Sequence, residues 1–314
     1  MFNVHLPSRK ELFWCIALWT FYFVIVTLFV GLRPDNVLLA ALFIVLFCYN
    51  GWTRRLAVAM IPFVLFGISY DWMRVYPNYM VNEIDVRSIN EAERALFGIS
   101  TGEGVLTPNE FFLNHQCTFV DLLSGIFYLC WVPVPIAFGL YLFFSGRKDV
   151  YAHFAWAFLF VNWIGFIGYY VHPAAPPWYV MQYGFEPILN TPGSVAGLSR
   201  FDALLGVDIF RSIYSENANI FAAVPSLHSA YVLIAAVYAF RSKMPYWMSI
   251  LLLIISAGIW FTAVYTSHHY LIDVLLGILT AIVGIFILEI LGKHNDHVRG
   301  FFSAYTRYLE NYTK

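Results

Sequence analysis

The sequence predicts an all-α, polytopic membrane protein of about eight transmembrane helices, and three observations carry that prediction. Apolar residues make up 60% of the 314 residues and charged residues only 12%, about half the roughly 25% of a soluble domain. Mean hydropathy is +0.68, so lipid rather than water is the expected solvent for much of the chain. The Lys and Arg residues, finally, gather in the alternate loops that eight spans would define.

Apolar runs long enough to cross a bilayer fall near 11–31, 35–50, 55–71, 119–145, 152–171, 224–241, 245–266 and 268–291. The first follows Arg9 and Lys10, as a signal peptide would. Its apolar core exceeds an h-region and no small-residue cleavage site follows, so it reads as a membrane helix. The second and third runs are short. With alternate loops on opposite sides, twelve Lys and Arg lie on one side and six on the other, the six in much longer loops. Every short loop of the first side carries a basic pair, such as Arg54 with Arg55 and Arg147 with Lys148. Both termini are therefore expected in the cytoplasm.

Two long segments fall on the outward side. In 72–118, Ile84, Ile89, Leu96 and Ile99 suggest a short amphipathic helix near the interface. Segment 172–223 is rich in Pro, Gly and aromatics and is expected to act as a lid. Both are net acidic, which argues against a polybasic lipid-docking patch, and the net charge of −1 gives no sign of nucleic-acid binding. Cys15, Cys48, Cys117 and Cys130 show no CxxC pairing, and three of them sit in apolar runs. Buried small hydrophobes suit them better than a disulfide or zinc framework.

Three polar clusters converge on the outward ends of the spans: YYVHPAAPPWY (169–179), AAVPSLHSAYV (222–232) and TSHHYLIDV (266–274). A spacing of four puts His269 and Asp273 on one helical face. The carboxylate can then hold one ring nitrogen and leave the other as a nucleophile. An unpaired Asp at that depth costs about 2–3 kcal/mol; a buried structural His–Asp pair is the plain alternative. Pro225 suits the first turn of a helix, with Ser226 and nearby backbone N–H groups facing outward to bind phosphate. His228 is placed to give and take protons, although a simple Pro/Ser helix start would also explain this segment. His172 is a candidate hydrogen-bond donor to phosphate.

PSLHS followed by HHYLID resembles the second and third motifs of the type 2 phosphatidic acid phosphatase superfamily. With HPAAPPWY, the set is closer still to the fungal-type inositol phosphorylceramide synthases, and the chain resembles a bacterial member of that branch over about 150–293. The resemblance implies a six-helix phosphatase-like core within a catalytic membrane domain, 55–293, preceded by N-terminal helices in 1–54 and followed by a cytoplasmic tail, 294–314. It implies His269 as nucleophile, Asp273 as its partner, His228 as acid and base, and Ser226 as a phosphate contact. His268 falls outside the nucleophile position and is read as an interfacial or substrate-contacting residue.

The sequence departs from the hydrolase pattern at Ala263, where an Arg is usual, at His172 for another Arg, and at Gly165 for a Lys. Fewer cations suit a phosphodiester, with one charge, better than a phosphomonoester. Arg200 and Arg211 are the candidates for a remaining cation. The implied reaction moves inositol phosphate from phosphatidylinositol to a ceramide-type acceptor through a phosphohistidine, with no cofactor and no metal. A bacterial inner membrane with the site facing the periplasm is expected, or a Golgi membrane in a eukaryote. The one Asn-x-Ser/Thr match, NYT at 311–313, falls on the cytoplasmic side. A lipid phosphatase is the nearest rival. A histidine-ligated metal or haem oxidoreductase would need HxxxH clusters that this chain lacks, and a transporter would spread its polar residues along the helices.

Overall fold

Proline and polar breaks divide the apolar runs into the helices seen in the computed structural model, which describes residues 6–102, 104–215 and 219–310; the NYT match lies outside them. Helix α1 (Arg9–Phe29) starts on a capping box between Ser8 and Glu11, and α2 (Pro34–Tyr49) starts on Pro34. Next come α3 (Gly51–Ala59) and α4 (Ile61–Trp72), bent by 44° around Met60, where Pro62 prevents a continuous helix. The carbonyls freed at this break are taken up. Tyr151 Oη donates to Ala59 O at 2.5 Å, and Tyr305 Oη lies 3.0 Å from Val58 O.

The first outward segment folds into α5 (Arg87–Phe97), a hairpin of β1 (Ile99–Thr101) and β2 (Gly104–Leu106), and α6 (Pro108–Asn114). Helices α7 (Thr118–Leu129) and α8 (Pro133–Phe144) form a second bent pair, at 45°, with Pro133 opening the second member. The long α9 (Lys148–Val171) packs against α4 and α8. The second outward segment holds three short helices, α10 (Pro177–Tyr183), α11 (Ser199–Leu205) and α12 (Ile209–Ser215). Then come α13 (Leu227–Arg241), α14 (Tyr246–Tyr265), α15 (Leu271–His294) and α16 (Asp296–Glu310).

The fold is all-α and multi-pass. Among the described residues four helices are long and apolar enough to cross a membrane, or six if each bent pair is one span, and α2 and α13 are shorter apolar helices. These segments align with the eight expected runs. Helix α9 lies at the centre, packed also against α13, α15 and α16. Residues 296–310, expected as part of a tail, form an amphipathic helix that buries Phe302, Tyr305 and Leu309. A smaller apolar cluster of Cys15, Trp19, Ala40, Phe47 and Ala57 holds α1 and α2 to α3.

Candidate active site

The loop between α14 and α15 is shaped by its own backbone. Ser267 adopts a left-handed φ of 61°, which turns the chain back so that the N–H groups of His268 and His269 both donate to Ala263 O at 3.0 Å. Tyr270 then caps α15, and Asp273 Oδ2 accepts the Tyr270 N–H at 2.9 Å. His269 and Asp273 therefore do not share a helical face, as their spacing suggested: the helix begins at Leu271, because the left-handed turn and the cap precede it. The pair still meets, with His269 Nδ1 3.4 Å from Asp273 Oδ2 and both side chains buried.

Helix α13 is locked against the start of α15. Ser226 is its N-cap, and its N–H donates to Asp273 O at 2.9 Å. Ser229 Oγ lies 2.6 Å from Ser226 O and 3.0 Å from Val274 O. This approach requires Gly277, where a Cβ would stand 2.0 Å from Ser226 O. Pro225 precedes the cap and does not lie in the first helical turn. The Ser226 side chain is fully buried and its hydroxyl has no hydrogen-bond partner among the described residues, so it does not face outward as expected. His228, in the first turn, places Nδ1 3.0 Å from His269 Nε2. The rings of Tyr128 and Trp131 flank it, with centroids at 5.1 and 4.7 Å.

Three buried side chains of the first outward segment grip the same loop. Glu93 accepts the N–H groups of Leu271 and Ile272 at 2.9 and 3.1 Å, occupying the positive start of α15. Asn109 donates to Val264 O and His269 O at 2.8 and 2.9 Å, and Asn90 to Tyr270 Oη at 3.1 Å. The inward face of α5 thus carries Asn90 and Glu93 beside Ile89, while Leu96, expected on an apolar face, is exposed. Burial pushes the Glu93 carboxyl up, against the lowering effect of the two amides.

A cavity of about 510 Å³ opens on His228, His268 and His269. Trp178, Tyr214 and other residues of 172–223 supply part of its wall, as expected of the outward loop. Arg33, Asn36, Asp71 and Arg74 also line it, and nothing in the motif spacing singled them out. Burial pushes His269 down to about 4 and His268 well below the ordinary histidine value, so both rings are neutral at physiological pH.

The remaining expected site residues lie elsewhere. His172 is half-exposed, with Nε2 3.2 Å from Asp85 Oδ2, outside the residues lining the cavity. Arg200 Nε binds Asp121 Oδ1 at 2.6 Å, and its guanidinium lies over the Tyr265 ring. Arg211 is exposed, pairs with Asp208 at 3.1 Å and lines a separate cavity of about 280 Å³. A carboxylate holds each of the three, Asp85, Asp121 and Asp208. Gly165, where the hydrolase pattern has Lys, abuts Leu227 so closely that a Cβ would stand 2.5 Å from Leu227 Cδ2. No group of three or more His, Cys, Asp or Glu among the described residues is arranged to hold a metal ion.

The chain, an all-α membrane bundle, belongs to the PAP2 superfamily, whose family model matches residues 101–287. The chain is 52% identical over 305 residues to the phosphoinositol dihydroceramide synthase of Bacteroides thetaiotaomicron, covering 97% of this chain and 100% of that protein. It is 26% identical over 245 residues to the inositol phosphorylceramide synthase catalytic subunit of Saccharomyces cerevisiae and 29% over 240 to that of Schizosaccharomyces pombe, in each case 74% of this chain. It spans 58% and 53% of the length of those fungal relatives. No solved structure matches the chain. The likeness to the bacterial relative extends through the N-terminal helices, beyond the half that carries the motifs.

Proposed function

We propose that the protein is a membrane phosphotransferase that moves inositol phosphate from phosphatidylinositol to ceramide or a related sphingolipid. The observation that carries this reading is the continuous line Asp273, His269, His228 at the wall of an outward cavity. The names of its relatives support the substrate class.

In the first step His269 Nε2 attacks phosphorus, the bond from phosphorus to the diacylglycerol oxygen breaks, and His228 gives that oxygen a proton. Asp273, beside Nδ1, holds the ring's tautomer and stabilises the positive charge that develops on it. The product is a phosphohistidine still esterified to inositol. In the second step a sphingolipid hydroxyl gives its proton to His228 and attacks phosphorus, and the P–N bond breaks. The two histidines are hydrogen-bonded to one another, so the donor phosphate exchanges that bond for one to each ring. Water must be kept from the intermediate, a task suited to the aromatic wall from 172–223.

The deficit of cations favours a diester, and Gly165 leaves no room for the Lys of the hydrolase pattern. Residues 55–293 form the catalytic domain in this reading, in a bacterial inner membrane with the cavity facing the periplasm, an orientation that the distribution of Lys and Arg supports. Incubation with labelled phosphatidylinositol, with and without ceramide, tests the proposal. Mass-identified inositol phosphorylceramide is expected only when ceramide is present. Inositol phosphate released without ceramide would make the protein a hydrolase.

A further inference from the structure

The histidines supply part of the cavity wall, and a second group of lining residues has its own chemistry. Arg33 Nη2 lies 3.1 Å from Asp71 Oδ1, and Arg74 Nε lies 3.2 Å from the same oxygen. Arg33 also pairs with Asp35 at 2.6 Å, and Asn36 Nδ2 donates to Tyr22 Oη at 3.1 Å. Asp71 is buried at the outward end of α4, and Arg33, Asn36, Asp71 and Arg74 all line the cavity that reaches His228 and His269. Charges are costly at the end of apolar helices unless they are paired or used.

The composition of this cluster selects its ligand. Two guanidinium groups and two carboxylates sum to no net charge, so it is a poor trap for a second anion. Guanidinium groups only donate hydrogen bonds and carboxylates only accept them. A group that does both at every position, a ring of neighbouring hydroxyls, matches such an alternating wall. The family match begins at residue 101, whereas all these residues lie upstream of it. The shared phosphotransfer chemistry and this polar cluster therefore come from different parts of the chain.

We propose that Arg33, Asp71 and Arg74, with Tyr22 and Asn36, form the subsite for the neutral polyol headgroup of the donor lipid. The proposal rests on the transferase reading and adds to it the residues that choose the donor. With its phosphate between the two histidines, the donor lipid directs the headgroup along the cavity toward Asp71. The N-terminal helices thereby acquire a function: they bring a headgroup wall to the catalytic bundle.

The test uses the full chain in detergent or nanodiscs, with Asp71→Asn, Arg74→Gln and His269→Ala variants. Glycerophospho-myo-inositol is expected to raise the melting temperature of the wild type and of His269→Ala. The shift should be lost in Asp71→Asn and Arg74→Gln. In transfer assays these two variants should raise KM for phosphatidylinositol roughly tenfold or more, with KM for ceramide unchanged and preference over phosphatidylglycerol reduced. If Asp71→Asn does not fold, Arg74→Gln decides the matter, because it leaves the Arg33–Asp71 pair intact. An undiminished shift and an unchanged donor KM in a folded variant would overturn the subsite. A wild type that shows the variant-sensitive shift and yet transfers nothing to ceramide would instead sink the transferase reading alone.

Discussion

His228 Nδ1 and His269 Nε2 lie 3.0 Å apart, although 41 residues separate them in the chain. A hydrogen bond between two imidazoles uses one proton, so one ring donates while the other accepts. When the Nδ1 of His269, 3.4 Å from Asp273 Oδ2, carries the ring proton, its Nε2 is the acceptor, which is the nitrogen that must attack. Groups that work as one unit show non-additive losses. His269→Ala is expected to abolish transfer, and His228→Ala to slow it by about 10²–10⁴. The double variant should be no worse than His269→Ala. Rates of headgroup transfer for all three check this, and any residual activity in His269→Ala that falls further in the double variant would show two independent roles.

Glu93 makes a second prediction, because it touches the loop and not the cavity. Its carboxylate holds the part-buried Leu271 and Ile272 N–H groups, and removing it leaves them without that acceptor, at up to about 1–3 kcal/mol. Glu93→Ala should lower the melting temperature and, at a temperature where it is still folded, reduce kcat with little change in KM. Glu93→Gln keeps a neutral acceptor and should recover part of kcat. A variant that melts earlier yet keeps the wild-type kcat would make Glu93 purely structural.

The outward face is legible in the sequence because its chemistry is written in short segments. PSLHS and HHYLID name His228, His269 and Asp273, and hydropathy with the placement of Lys and Arg puts them on one side. Geometry inside those segments is less legible. Ser267 turns left-handed and Tyr270 caps the helix, so His269 stands before α15 even though its spacing from Asp273 is helical. Long-range partners leave no local trace. Glu93 lies on an amphipathic helix where a charge is ordinary, and its contact with Leu271 spans 178 residues. Arg33 and Arg74 read as loop charges until the fold sets them beside Asp71. Arg200 and Arg211 read as outward cations, but Asp121 and Asp208 hold them, and neither lines the cavity of the histidines.

Arg211 consequently tests the site from outside. It lines the smaller cavity and pairs with Asp208 on the surface, so Arg211→Ala should leave KM for phosphatidylinositol within about twofold, as expected for loss of a surface pair worth under about 1 kcal/mol. A tenfold rise in KM would return Arg211 to the donor site.

Gly277 sets the separation of α13, which carries His228, and α15, which carries Asp273 and starts two residues after His269. A Cβ there would lie 2.0 Å from Ser226 O and 2.2 Å from Ser229 Oγ, both on the first turn of α13 beside His228. Backbone cannot yield as a flexible side chain can, so Gly277→Ala should push α13 away from α15. Overpacking of this kind costs about 1–3 kcal/mol, and the 3.0 Å contact between His228 and His269 would open with it. The expected outcome is a lower melting temperature together with a loss of kcat. Gly284→Ala is the control on the same helix: its Cβ would meet Val161 Cγ2 at 2.7 Å, a side chain on α9 away from the site. That variant should lose stability but keep more of kcat, and equal losses of kcat in the two would deny Gly277 a special link to the histidines.

The acidity of His269 gives the last prediction. Burial pushes its ring down to about 4, and only the unprotonated ring has a lone pair for phosphorus. The reactive fraction therefore persists as the pH falls below the ordinary histidine range and is lost only as it passes through about 4. Because kcat/KM reports the ionisation of the free enzyme, its acid limb should lie well below 6.5, with little loss between pH 7 and pH 5.5. A donor-limited pH profile on folded protein measures this directly. A half-maximal rate near 6.5 would mean that the ring is solvated or that the Asp273 carboxylate, 3.4 Å away, stabilises the imidazolium enough to cancel the whole effect of burial. Repeating the profile with Asp273→Asn separates these cases, since only the second moves when that charge is removed.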